Sequence, residues 1–262
     1  GEIDVISMQW RLFGNGDVAQ YSDNLILDQF DKCAPKFCPN PVQAWAVKSM
    51  FSTKGPHVAG KFTRIGVHRP NNAGKDVGDI RWVDGSGRPV LDKFVKEGWR
   101  FGTHSYGYDL VTLNHYAVRS AESFMVKRDR GRVNHVARDQ GEAYWFRMNN
   151  NDEQDLSIQR HVHGLKAAMA ELMAIPEIAA AHQSSVTAHR ARIAELRQDR
   201  EFSALFGRIT SARFQKLSRM HRHFGMNVFL QGPSSVPDRV FEPDLPANFF
   251  FNTAPPDGDA AD

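Results

Sequence analysis

Near residue 157 the spacing of apolar residues changes, and this change limits the fold more than any other feature of the 262-residue chain. Upstream, apolar residues come in short alternating or β-branched runs. The first holds Ile3, Val5, Ile6, Met8 and Trp10, and further runs fall at 43–51, 62–67, 80–83 and 109–114. Gly-, Pro- and Asn-rich stretches separate them, so each reads as a strand bounded by turns. Two helices are predicted among these strands. One covers 23–30 behind Ser22 or Asp23 as N-cap, and the other covers 117–127, leaving through RDRGR with Gly131 near its C-cap. Downstream, Leu165, Ala168, Met169, Leu172 and Met173, then Ile193, Leu196, Leu205, Phe206, Ile209, Phe214 and Leu217, recur at three- and four-residue steps, with Pro176 as an interruption. That period predicts two or three helices packed on an α/β body. Three segments follow: a body over 1–157, a helical extension over 158–232, and a Pro-rich acidic tail over 233–262 that reads as mostly extended or disordered.

A 41% hydrophobic share is enough to bury a core. Apolar stretches such as AAMA and IAAA are far too short to cross a bilayer. Two cysteines, Cys33 and Cys38, cannot build a disulfide framework, and they lack the second ligand pair of a structural zinc site, so they read as unpaired thiols in a reducing compartment. The net charge of +3 hides an asymmetry. Residues 158–223 carry eleven Lys or Arg against five acids, hence +6, and six of the eleven histidines. The i,i+2 pairs His161/His163 and His221/His223 point to different sides of a helix, which suits solvated faces better than joint metal binding.

The chemistry concentrates in 99–135. There an apolar strand, Leu110 to Leu113, runs into Asn114 and His115 and then into a helix carrying Arg119, Glu122 and Lys127. A strand end leading into a helix is where open α/β sheets gather ligands. Arg119 in a first helical turn, beside unpaired amide groups, would suit an anion such as a diphosphate. His68 and His104, in turn-rich segments, read as loop anchors.

The strings DVISMQWRLFGNG, VKSMF, VHRP, GTHSYGYDLVTLNHYAVRSAESFMVKRDRGRVNH and YWFRMNNNDEQDLSIQRH resemble bacterial glycosyltransferase family 2 proteins. The branch they resemble carries W-R-x-F-G followed downstream by N-H-Y-x-x-[RK]-S-x-E-x-F-x-x-K. The resemblance covers residues 1 to roughly 160. It implies the C-terminal part of a GT-A-like mixed sheet with helices, followed by the α-helical extension. It also implies sugar transfer from a nucleotide-sugar donor to a glycan or other hydroxyl acceptor in surface polysaccharide synthesis, on the cytoplasmic side with peripheral membrane contact. Mn²⁺ or Mg²⁺ would assist by stabilising the departing diphosphate. Carried over residue by residue, His115 is the metal ligand. Arg119 and Lys127 neutralise the diphosphate, with Glu122 orienting one of them. Trp10, Arg11, Phe13, Gly14 and Tyr116 face donor sugar or acceptor.

The family's metal-holding Asp-x-Asp precedes the segment that matches IDVISMQW. Here the one such string is Asp257-Gly258-Asp259, in the tail. The chain is therefore expected to be the C-terminal portion of a transferase truncated at Gly1, inactive by itself. Among Asp17, Asp23 and Asp109, no feature singles out a catalytic base. The competing expectation is a non-catalytic module whose +6 helical region grips nucleic acid or an anionic membrane. Nucleic acid is disfavoured, because the basic residues alternate with apolar ones at core spacing.

Overall fold

The computed structural model describes residues 3–53, 62–72, 80–96, 98–102, 104–131, 140–242, 244–246 and 248–255. Asp257 and Asp259 lie outside them. The fold is mixed α/β. Its strands are β1 (Val5–Phe13), β2 (Lys32–Cys33), β3 (Val47–Phe51), β4 (Phe62–Ile65), β5 (Pro70–Asn72), β6 (Trp82–Asp84), β7 (Leu113–Tyr116) and β8 (Glu153–Gln154). The helices are α1 (Ile26–Gln29), α2 (Asp92–Lys96), α3 (Ala121–Arg130), α4 (Glu142–Met148), α5 (Val162–Met173), α6 (Pro176–Gln198), α7 (Arg200–Ile209), α8 (Ala212–Leu217) and α9 (Met226–Gln231).

The chain forms two units: one of Gly1–Arg11 with Lys36–His115, the other of Leu12–Pro35 with Tyr116–Asp262. The boundary expected after residue 157 falls inside the second. In the first unit β1 runs antiparallel to β3 (Val5 opposite Phe51, Gln9 opposite Val47) and parallel to β6 (Val5 opposite Trp82). Val5, Trp45, Val47, Trp82, Val95 and Phe101 close its core. Ser7 is buried among them. Its hydroxyl meets Ser49 Oγ at 2.8 Å and accepts from Trp82 Nε1 at 2.9 Å, so the polar group is compensated.

In the second unit Phe13 pairs with Cys33, and β2 continues antiparallel to β8. Helix α3 packs on α6 and α7, and α4 packs on α7 and α9. Phe124 against Trp145 at 4.9 Å and Phe146 stacked on Phe229 at 5.3 Å mark the centre of this packing. Cys33 and Cys38 are buried and not joined in a disulfide, and the Cys38 thiol donates to Asn40 O at 2.9 Å.

Several elements differ from expectation for local reasons. Residues 42–45 form a 3₁₀ turn instead of the start of a strand, and the Trp45 indole donates to Pro39 O at 2.9 Å to close it. Residues 109–112 are not strand. Leu110 N and Val111 N both donate to Gly85 O, and β7 starts only at Leu113. Helix α1 is a single turn whose N-cap is Leu25, not Ser22 or Asp23. Helix α3 starts at Ala121 because the Ser120 hydroxyl caps it, accepting from Ser123 N at 3.2 Å, and it ends at Gly131 with φ +76°. Five α-helices, rather than two or three, occupy 158–231 among the described residues, and Pro176 opens α6 as its first residue instead of interrupting one. His161 and His163 are exposed, but His221 is wholly buried between Phe146 and Phe229, so its face is packed and not solvated.

Candidate functional site

β7 pairs with β1, and this places the two halves of the sequence signature side by side. In the first unit the His115 imidazole stacks on the Trp10 indole, with centroids 3.8 Å apart and planes 22° from parallel. His68 approaches the same indole at 5.7 Å and Trp99 at 5.2 Å. Its Nδ1 lies 2.9 Å from Val47 O, the anchoring role expected of it, and burial holds its pKa below the usual imidazole range. Arg11 is buried, near Tyr108. Burial drives the Tyr108 hydroxyl upward in pKa while the Arg11 charge opposes this, and the hydroxyl meets Trp10 O at 3.3 Å.

The stacking on Trp10 engages the face of the His115 ring. One imidazole is one donor, however, and Mn²⁺ or Mg²⁺ takes about six. Among the described residues no three His, Cys, Asp or Glu side chains gather into a further donor set.

In the second unit Phe13 and Tyr116 meet with ring centroids 4.8 Å apart. Gly14 cannot be replaced without displacement, since a Cβ there would lie 2.1 Å from Asn151 Oδ1 and 2.5 Å from Asn150 O. The loop that follows is held by buried asparagines. Asn15 N donates to Asn149 Oδ1 at 2.8 Å, and Gly16 N donates to Asn151 Oδ1 at 2.9 Å. Asn151 in turn donates to Ser218 Oγ at 2.9 Å. Asp17, left-handed at φ +63°, forms an ion pair with Arg219.

The three polar residues of the signature helix part company. Lys127 is half-buried and donates to Ala117 O at 2.6 Å and to Tyr144 OH at 3.0 Å, the second bond tying α3 to α4. The Glu122 carboxylate accepts from Tyr21 N at 2.8 Å and fixes the loop before α1. Arg119 lines an open cleft. It precedes the cap instead of lying in the first helical turn, and it is exposed at φ +57°, a conformation costing about 1–2 kcal/mol. The first amides of α3 are not available to an anion. Ala121 N donates to Val18 O at 3.2 Å, Glu122 N to Ala19 O at 3.0 Å, and Ser123 N is taken by the cap.

The cleft has a volume of about 350 Å³ and lies among the Tyr21–Asn24 loop, α1, the start of α3 and one face of α6. His182 and His189 come from α6. His182 Nε2 is 3.0 Å from Asp23 Oδ2, and His189 Nε2 is 3.2 Å from Ser123 Oγ. Burial, reinforced by the Arg119 charge and opposed by that of Glu122, holds the His189 pKa below the usual imidazole range. A serine–histidine contact suggests nucleophilic chemistry, but the nearest backbone donors for an oxyanion are the occupied amides of α3. The sequence reading had missed these histidines. Their signal was present as a seven-residue spacing, with Ser185 and Val186 between, which puts them on one helix face.

Comparison with protein-family models, curated proteins and solved structures gives no match for this chain.

Proposed function

We propose that the chain is the acceptor-side part of a metal-assisted glycosyltransferase that moves a sugar from a nucleotide-sugar donor to a hydroxyl acceptor. The observation that carries the reading is the meeting of two distant motifs. Trp10 of W-R-x-F-G stacks on His115 of N-H-Y, and Phe13 of the first touches Tyr116 of the second. Each pairing is fixed within its own unit, because side chains on adjacent strands are held to a small fraction of their free rotamer space. In this reading His115 supplies one metal ligand, and Asp-x-Asp supplies the others from the segment that the family carries ahead of IDVISMQW. Arg119 faces a cavity, while Lys127 and Glu122 act by positioning α3.

The test is turnover of UDP- and GDP-sugars with Mn²⁺ by a version that includes such an Asp-x-Asp segment. The His115→Ala substitution is expected to lower turnover more than about 100-fold, the upper end of what losing only an outer-shell partner costs. Unchanged turnover would remove His115 from the site.

The basic module finds less support. Among the described residues, cations of 158–223 with carboxylate partners include Lys166, Arg192, Arg208, Arg213, Arg219 and Arg222. Several partners, such as Asp28, Asp129 and Glu142, come from before residue 158, so the local excess is largely neutralised. Among the described residues no helix is long and apolar enough to cross a membrane.

A further inference from the structure

We propose that the α6 cleft binds a neutral sugar, which in the transferase reading is the acceptor. The acceptor assignment rests on that reading; the sugar site does not. A cavity of about 350 Å³ falls in the range of small-ligand sites. Buried Phe30 and Val186 give it an apolar floor. Its polar wall mixes three kinds of group. Asp23 is an acceptor, and with one oxygen on His182 at 3.0 Å and the other on Tyr21 OH at 3.3 Å it keeps lone pairs to spare. Arg119 is a pure donor. Ser123 and His189, 3.2 Å apart, can each donate or accept.

A ligand that complements such a wall must donate to Asp23 and accept from Arg119 at once. Hydroxyl groups do both, and a ring bearing several of them meets the alternating demand around the cleft. A carboxylate only accepts, and a phosphate carries negative charge whatever its remaining protons, so either would be set beside the Asp23 charge with no helix amide to compensate. The sign of that interaction separates the two occupants experimentally.

The experiment uses the 262-residue chain and saturation-transfer NMR with methyl glycosides of glucose, galactose, mannose and N-acetylglucosamine, and calorimetry with inorganic pyrophosphate. At least one glycoside should receive saturation. Asp23→Ala should weaken it by about tenfold, the equivalent of one hydrogen bond to a charged group. Ser185→Trp, which fills the cleft from the exposed side of α6, should abolish it without moving the thermal transition, and it keeps the test valid if Asp23→Ala disturbs the loop. No saturation of any glycoside overturns the proposal, as does pyrophosphate binding that tightens in Asp23→Ala. Sugar binding that persists in an Asp-x-Asp-containing version incapable of transfer would uphold the sugar site and end its assignment as acceptor.

Discussion

At Gly14 a single hydrogen atom decides whether the signature loop can close. Asn150 O and Asn151 Oδ1 occupy the space a methyl group would need, and Asn151 already serves Gly16 N and Ser218. Gly14→Ala should therefore cost about 2–4 kcal/mol, read as a lower urea midpoint, because either the network breaks or β1 shifts. A loss below about 1 kcal/mol would mean that the asparagines give way freely. Buried His221 makes a different prediction. Burial lowers its pKa to about 3 while the Phe146 backbone offsets part of the shift. Its unfolded value is near 6.5. The folded ring is thus neutral where the unfolded ring binds a proton, and stability falls as pH drops from about 6.5 toward about 3, by on the order of a few kcal/mol. His221→Phe should flatten that slope, which denaturant titrations at pH 7, 5 and 4 would reveal. The residue letters exposed the glycine in its motif, but not the burial of His221, because an i,i+2 pair says nothing about which helix packs over it.

Capping and periodicity govern the elements. Ser120 holds the start of α3 through the Ser123 amide, and this fixes both the exposed Arg119 before it and the Ser123 hydroxyl facing His189. Ser120→Ala should remove about 1 kcal/mol and lower the melting temperature by roughly 2–4 °C. A change smaller than about 0.3 kcal/mol would show that the helix starts without the cap. The [RK]-S-x-E spacing was legible in the sequence, but the helix start was expected earlier, at 117, because Ala117 and Val118 fit a helical period as well as they fit a strand exit. The short apolar run at 109–114 was similarly ambiguous. Its strand identity was settled by which residues found backbone partners, and Gly85 O captured Leu110 and Val111 before β7 could include them.

Across the whole molecule, charge is the property most altered by folding. The +6 of residues 158–223 meets acids contributed from elsewhere in the second unit, among them Asp17, Asp129 and Asp152. Partly exposed pairs such as Arg192–Asp129 add little stability, about 0–1 kcal/mol each, yet they cancel long-range field. Random duplex DNA should accordingly bind more weakly than about 10⁻⁴ M at 150 mM salt, the loose end of non-specific affinity, as fluorescence anisotropy would measure. Tighter binding with a steep salt slope would restore the basic-module reading. The sequence by itself determined what depends on neighbours along the chain: a mixed α/β body, a helical extension, and two motifs separated by a hundred residues. Only the tertiary structure decided which motif residues touch, that Lys127 and Glu122 brace α3 while Arg119 faces a cleft, and that α6 lends two histidines to that cleft. The physical reason is that hydrophobic period and turn chemistry are local, whereas stacking, burial and charge pairing depend on distances that exist only after distant segments have packed.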